Sequence, residues 1–244
     1  MGDNLRFLHS VGVTGVYSEG DGYAVGSDLS ELKTFLLGKL LWDPFVDDAA
    51  LTQGFLRSYY GPVVAPFVSE YMQLFVDAAA NSSTMLQPED NCIPGPAACA
   101  GKMQYLAPET TLRSVDIFRR ATVALGTSAS GRPSSNWERE QWPLRLKVAE
   151  LPTLYVMLVR WQYVTAWAVA HNRTWPLDTN ITVVYESFAA TYRRVHMDRG
   201  VWCGASPACN ATCRCNCKTA PCVDNALGEW FGAGLPWFRK QIGA

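Results

Sequence analysis

The stretch Val11–Tyr17 (VGVTGVY) constrains the fold most, because it is typical of a buried β-strand while almost all later periodicity is helical. A strand cannot satisfy its own backbone N–H and C=O groups, and no second strand follows it to form a sheet. The next segment, 27–42, has the apolar spacing of an amphipathic helix. We therefore expect this pair to be the last strand–helix step of a larger α/β domain, and the chain to be a fragment of that protein.

Helical spacing dominates the remainder of the chain. The predicted helices cover 28–42, from Asp47 or Asp48 to Gly61, from Pro62 onward, 108–126, 136–171 with a bend at Pro152, 182–198, and a short amphipathic tail over 226–242. The fold class is therefore predicted to be mainly α, a multi-helix bundle preceded by one strand–helix unit. We divide the chain into that unit (1–44), a helical region (45–200), and a Cys-rich loop with the tail (201–244).

The eight cysteines favour disulfides and an oxidising compartment. Two of them, Cys92 and Cys99, bracket the loop CIPGPAAC and could close it as a local disulfide. Six more crowd into one short segment: Cys203, Cys209, Cys213, Cys215, Cys217 and Cys222. Zinc is the alternative, but structural zinc sites usually show paired C-x2–4-C knuckles, which this spacing lacks. Six cysteines permit many pairings, so the connectivity stays open.

Four N-x-S/T sequons point to the same compartment. They begin at Asn81, Asn172, Asn180 and Asn210, whereas random placement would give about one. All four fall in predicted loops or at helix ends, where a glycan can be accommodated. The first residues, MGDN, have neither the basic nor the apolar region of a signal peptide. We expect a secreted or lumenal protein whose signal peptide lies outside this chain.

Composition argues against several partners. Lys and Arg total 21 against 22 Asp and Glu, with no basic block, so nucleic-acid binding is not expected. The most apolar stretch, 148–170, contains Glu150 and Arg160, so a membrane span is not expected either. No motif predicts a metal or a cofactor. Nine Trp and ten Tyr suit either a helical core or a sugar-stacking cleft, and composition does not separate the two.

The candidate catalytic residues follow the predicted strand. In a βα barrel the carboxyl end of each strand faces the active site, which would place Glu19 and Asp21 nearest any chemistry. Two neighbouring carboxylates can divide the acid and base roles of glycoside hydrolysis. Tyr17, Tyr23 and Trp42 are the candidate stacking surfaces for substrate. The alternative is a solvated loop, because residues two apart in a loop need not point the same way.

Three runs of residues resemble a known family. GVYSEG from Gly15, LKTFLLGKLLWDP over 32–44 and FLRSYYG over 55–61 are similar to the family called domain of unknown function 4838. The resemblance covers about 5–75 well and 105–200 loosely. The family is grouped with glycoside-hydrolase barrels, and the WDP step is also similar to α-glucuronidases. The segment Cys203–Cys222 is not associated with the family.

The resemblance implies a (β/α)8 barrel followed by a helical C-terminal region, of which this chain would hold the last barrel step and the helices. Glu19 would then line a sugar subsite, and a glycan or oligosaccharide would be the ligand. Carboxylate-assisted glycosidic cleavage would belong to the whole protein, and no catalysis is expected of this chain alone. The alternative function is a non-catalytic, disulfide-stabilised extracellular interaction module.

Overall fold

Helices form every regular element in the residues that the computed structural model describes, which are 1–18, 28–82, 104–127, 133–195 and 235–244. They are α1 (Gly2–Ser10), α2 (Ser30–Trp42), α3 (Asp48–Tyr60), α4 (Ala65–Ala80), α5 (Pro108–Thr127), α6 (Asn136–Val159), α7 (Trp161–Ala170), α8 (Ile181–Arg194) and α9 (Leu235–Ile242), with a 3-10 turn at Gln104–Leu106. The prediction of a mainly α fold is confirmed.

The strand predicted over Val11–Tyr17 is wrong. Gly12, at φ 84°, ends α1: its N–H donates to the carbonyl of His9, and the next N–H, from Val13, donates to that of Leu8. These two bonds are a Schellman cap, for which glycine is the usual residue. Residues 13–18 are irregular and exposed, and no strand pairs with them within the described ranges. The β-prone side chains therefore have no sheet to join, and a strand forms only against a partner.

The first hydrophobic core lies among α2, α3, α4, α5 and the first half of α6. Its most deeply buried members include Leu56, Val64, Val68, Phe118 and Ala121, each no more than 1% exposed. Helix α3 begins at a side-chain cap, since Asp47 accepts a hydrogen bond from the N–H of Ala50 at 2.9 Å. Helix α1 packs on α2 at the edge of this group.

Helix α6 connects all three cores. At 24 residues it is about 36 Å long, because an α-helix rises about 1.5 Å per residue. Its first half enters the first core through Leu146. Leu154 and Leu158 enter a second core with α8 and α9, and Met157 enters a third with α5 and α7. The helix runs through Pro143 and Pro152.

The single helix predicted over 136–171 is divided in the structure. Helix α6 ends at Val159 and α7 begins at Trp161, with Arg160 between them at φ −107° and ψ 18°. The interruption follows Pro152 by eight residues. Helix α7 ends in a second Schellman cap, because the N–H groups of Asn172 and Arg173 donate to the carbonyls of Val169 and Ala168.

Candidate functional site

Two of the predicted substrate-binding residues extend into solvent. Tyr17 is 89% exposed and Trp42 is 91% exposed, so neither ring is enclosed in a cleft of the described structure. Glu19, Asp21 and Tyr23 lie outside the described residues. Their roles in catalysis and substrate binding stay predictions.

A different set of side chains, four aromatic rings and one arginine, lies in contact across α2, α3 and α6. We call it the aromatic row: Phe35, Phe55, Tyr59, Arg145 and Trp137. The Phe35 and Phe55 ring centroids are 5.1 Å apart, and those of Phe55 and Tyr59 are 4.9 Å apart and stacked at 17°. The three rings are half-buried, and Trp137 is 54% exposed. The row therefore presents ring edges and one indole to solvent.

Helical spacing brings these residues into line. Phe55 and Tyr59 are four apart on α3, and such residues share one helix face. Phe35 stands four before Lys39 on α2, and the Lys39 ammonium lies 5.8 Å from the Phe35 ring centroid. A charged group thus lies over the ring at this end of the row.

Arg145 is held between two rings. Its guanidinium carbon lies 3.9 Å from the Tyr59 ring centroid and 4.7 Å from that of Trp137. Its Nη1 donates to the backbone carbonyl of Tyr59 at 2.9 Å. Among the described residues, no carboxylate forms an ion pair with it. The flanking rings and this bond fix the plane of the guanidinium. Its remaining N–H donors lie in that plane.

Two carboxylates and two further tyrosines adjoin the row near the start of α2. The hydroxyl of Tyr71 donates to Asp28 Oδ1 at 2.9 Å. Tyr60 meets Tyr59 edge to face, with ring centroids 4.9 Å apart. Glu31 lies in the first turn of α2 and accepts a hydrogen bond from Ser30 at 3.2 Å. Carboxylate acceptors and hydroxyl donors thus lie beside the aromatic rings.

The hydroxyls of this cluster stay protonated at neutral pH. Burial raises the pKa of Tyr60 far above its ordinary value, and the negative charge of Glu31 raises it further. Burial likewise raises the pKa of Tyr71, with Asp28 adding to the effect. For Tyr59, burial has the largest effect and raises the pKa. The negative charge of Glu31 raises it further, and the positive charge of Arg145 lowers it. Each hydroxyl is therefore a permanent neutral donor.

The arrangement is suited to binding a ligand with both apolar and hydroxyl-bearing faces. Half-exposed rings offer stacking area, while carboxylates and a guanidinium offer acceptors and donors at its border. Binding sites commonly combine aromatic surface with a few polar groups that fix orientation. The row is partly exposed, since Trp137 is 54% exposed and the other rings are half-buried.

The sequence treated these residues differently. Phe35, Phe55 and Tyr59 lie in segments that the sequence predicts as helices, and no motif in the sequence singles out Trp137 or Arg145. The signal that could have found them is the four-residue spacing of Phe35 with Lys39 and of Phe55 with Tyr59, which predicts paired side chains on each helix. The position of α6 against α3 required the structure.

The described sequon asparagines all lie at helix ends. Asn81 follows α4, Asn172 follows α7 at φ 49°, and Asn180 precedes α8, where its side-chain oxygen accepts from the N–H of Thr182. All three are exposed. Asn210 and all eight cysteines lie outside the described residues, so glycosylation at Asn210 and the disulfides stay predictions.

The described residues contain neither a membrane-spanning helix nor a metal-ligand cluster. There, no helix has the length and apolar character needed to cross a membrane. In the same residues, no three His, Cys, Asp or Glu side chains come together as metal ligands.

Comparison with known proteins gives one match. Residues 1–73 match the family model described as Domain of unknown function (DUF4838), which confirms the resemblance drawn from the GVYSEG, WDP and FLRSYYG runs. The matched segment covers α1, α2, α3 and part of α4, and so includes Phe35, Phe55 and Tyr59 of the aromatic row. No curated protein and no solved structure matches the chain.

Proposed function

We propose, starting from the DUF4838 family model that residues 1–73 match, that this chain binds a glycan through the aromatic row. The protein to which it contributes would be extracellular and glycoside-hydrolase-like. The observation that carries the proposal is the row itself, with Arg145 between the rings of Tyr59 and Trp137 and with Glu31 nearby. Sugar rings have apolar C–H faces and hydroxyl edges, which match half-exposed aromatic rings bordered by charged groups.

The mode of binding follows from the exposure of the row. Trp137, 54% exposed, is the ring with the most free surface and would stack on one sugar unit. The half-buried rings of Phe55 and Tyr59 would meet the adjacent units along their edges. Several neighbouring rings suit an oligosaccharide better than a single sugar. Glu19 and Asp21 remain the candidate catalytic carboxylates of the proposal.

Affinity electrophoresis tests the proposal directly. The purified chain is run in native gels that contain one soluble polysaccharide each: xylan, mixed-linkage β-glucan, galactomannan or polygalacturonate. We expect retardation in at least one gel, and we expect Trp137→Ala to abolish most of it. Trp42→Ala, at a residue 91% exposed and outside the row, separates the two predicted stacking surfaces.

The control is Val123→Ala, which removes an exposed apolar side chain (54% exposed) from α5. It should migrate like the wild type in every gel. Equal retardation of the wild type and Trp137→Ala would exclude the row as the binding surface. No retardation in any gel would contradict glycan binding by this chain.

Exposure of the sequon asparagines supports the extracellular part of the proposal. Asn81, Asn172 and Asn180 all present their side chains to solvent, as glycan attachment requires. Expression behind a secretion signal, followed by enzymatic deglycosylation and mass measurement, tests this. Each occupied site should lose one glycan mass, and a Thr182→Ala variant should lose the sequon at Asn180 alone.

A second candidate function is binding of a protein partner, which could be a second copy of this chain. It is supported by exposed apolar side chains at the edge of the first core where α1 packs. Large apolar side chains are exposed on α1 and around the end of α2: Phe7 at 64%, Val11 at 59%, Trp42 at 91% and Phe45 at 66%. Exposed apolar groups of this size are typical of protein-binding surfaces. Light scattering at increasing concentration tests self-association. A mass that stays monomeric for the wild type and for Phe45→Glu would exclude a second copy as the partner.

A further inference from the structure

The joint between α6 and α7 contains a buried positive charge. Arg160, the residue between the two helices, is 8% exposed. Its Nη1 donates to the backbone carbonyl of Leu106, and its guanidinium carbon lies 5.1 Å from the Tyr163 ring centroid. Its Nε is buried without a hydrogen-bond partner. The side chain is therefore only partly satisfied.

In the described part of the chain, no carboxylate is paired with this charge. Within the described residues, every ion pair involves another arginine, and none includes Arg160. Burial lowers the pKa of Arg160, but an arginine in a protein stays protonated at neutral pH. A buried charge without a counter-ion is costly, so proteins normally pair it or use it to bind an anion.

The same joint supplies free backbone donors. Helix α7 has ten residues, and no side chain caps its start. Its first backbone bond across the joint runs from the N–H of Val164 to the carbonyl of Arg160, and the described bonds include none from the N–H groups of 161–163. Unbonded N–H groups at a helix start carry partial positive charge and favour an anion. The Tyr163 contact places the guanidinium against this first turn.

We propose that the α6–α7 joint binds a small oxyanion group, such as a carboxylate, sulfate or phosphate. Arg160 supplies the charge through Nε, and the N–H groups at the start of α7 supply hydrogen bonds. Tyr163, 42% exposed, is the ring that contacts the guanidinium. The site is separate from the aromatic row, since Arg160 lies fifteen residues beyond Arg145, about 22 Å along the helical rise.

Thermal unfolding at constant ionic strength tests the site. The full chain is measured in chloride, acetate, sulfate and inorganic phosphate, each as the sodium salt. We expect at least one oxyanion to raise Tm by about 2–4 °C over chloride in a saturating manner. The anion that acts at the lowest concentration identifies the group: acetate indicates a carboxylate ligand, sulfate a sulfated ligand, and phosphate a phosphorylated one.

The variants separate specific binding from general salt effects. Sulfate and phosphate stabilise many proteins by exclusion from the surface, and this part should persist in Arg160→Met. The control Arg113→Met removes an exposed arginine from α5 and should keep the full, saturating increase. An equal oxyanion effect in wild type and Arg160→Met would overturn the proposal, as would no effect in the wild type.

A second measurement applies if Arg160→Met does not fold. Arg160→Lys keeps the charge but shortens the reach and loses Nε, so it should weaken the oxyanion effect by about tenfold in concentration. Phosphorus NMR of inorganic phosphate reports binding without reference to stability. Line broadening by wild type and not by Arg160→Lys supports the site, and identical lines with both proteins contradict it.

Discussion

Two arginines, Arg145 within α6 and Arg160 directly after its last residue, differ mainly in burial. Arg145 is half-buried between Tyr59 and Trp137 and donates to the carbonyl of Tyr59. Arg160 contacts one ring, Tyr163, and donates to the carbonyl of Leu106, but it is 8% exposed. Among the described side chains, neither guanidinium has a carboxylate partner.

Both arginines contact aromatic rings and a backbone carbonyl, but burial makes the charge costly only at Arg160. At Arg145 the charge keeps contact with water while two ring faces add attraction, so the interaction is favourable without a counter-ion. At Arg160 the charge is removed from water and one carbonyl does not replace its hydration. The contacts of Arg145 therefore satisfy its charge, whereas the buried charge of Arg160 has no counter-ion among the described residues.

The largest effect on stability should come from Gly61, which packs against Trp142 in the first half of α6. Gly61 has φ 86°, and a Cβ there would lie 2.6 Å from the Trp142 ring. Gly61→Ala should therefore lower the free energy of unfolding by about 3 kcal/mol or more, from strain and overpacking together. Urea denaturation measures the change.

The matched control for this change is Gly54→Ala. Gly54 lies inside α3 and a Cβ there would meet no atom within 4 Å. It should raise stability by about 0.5–1 kcal/mol, because alanine favours helix more than glycine does. A similar loss in both variants would show that neither the φ angle nor Trp142 limits Gly61.

A pH effect should come from Glu150, which lies on α6 between Arg145 and the joint at Arg160. Burial raises its pKa from 4.5 to about 7, and Lys147 opposes this weakly. The folded protein therefore keeps the proton while the unfolded chain loses it. Its contribution to stability is complete below pH 4.5 and is lost as pH rises to about 7, by about 2–3 kcal/mol.

Urea denaturation between pH 4.5 and 7.5 measures this dependence. Glu150→Gln should remove the loss, so the two curves should converge at low pH and separate at neutral pH. Acidic groups with lowered pKa, such as Asp116, contribute the opposite slope in both proteins and cancel in the difference. Parallel curves would contradict a raised pKa at Glu150.

The comparison of the two arginines is tested by giving each the same replacement. In buffer without oxyanions, Arg145→Met should lower the free energy of unfolding by about 1–1.5 kcal/mol, through loss of two ring contacts and a hydrogen bond. Arg160→Met should raise it by about 1 kcal/mol, because it removes an unpaired buried charge. Chemical denaturation gives both values, and changes of the same sign would remove the contrast.

The smallest effect concerns the starts of α6 and α7. Helix α6 begins with a capping box, in which Ser135 accepts from the N–H of Glu138 at 3.1 Å and Glu138 accepts from the N–H of Ser135 at 3.0 Å. Ser135→Ala should cost about 1 kcal/mol. Helix α7 has no such cap, and no side chain near its start forms a capping hydrogen bond that a substitution could remove. Gln162→Ala, near that start, should therefore change stability by less than about 0.5 kcal/mol. Thermal unfolding of both variants makes the comparison.

Local signals predicted most of the helices. Asp47 and Gly61 bound α3 as expected, and Pro108 and Asn136 begin α5 and α6. Each of these depends on a cap or a proline within one turn, which sequence displays directly. The family resemblance was likewise carried by short runs of residues that the matched segment contains.

Features that depend on distant partners were not predictable in the same way. The VGVTGVY run has strand propensity, but Gly12 serves as a helix cap and no strand lies beside it in the described structure. Helix α1 was not predicted, because it has only nine residues and the strand-like run follows it directly. Arg145 and Trp137 join the aromatic row only because α6 packs against α3, which no local pattern specifies.

Because α6 contributes side chains to three cores, it affects how the protein unfolds. A side chain from this one helix contributes to each hydrophobic cluster, so no cluster can separate from the others while α6 stays intact. Opening one core must disturb the helix that the other two share. The bundle should therefore behave as one cooperative unit, with amide protons around Leu154 and Met157 protected until global unfolding. Among the described segments, the exposed residues 13–18 contribute to none of these cores and should be the first that a protease cuts.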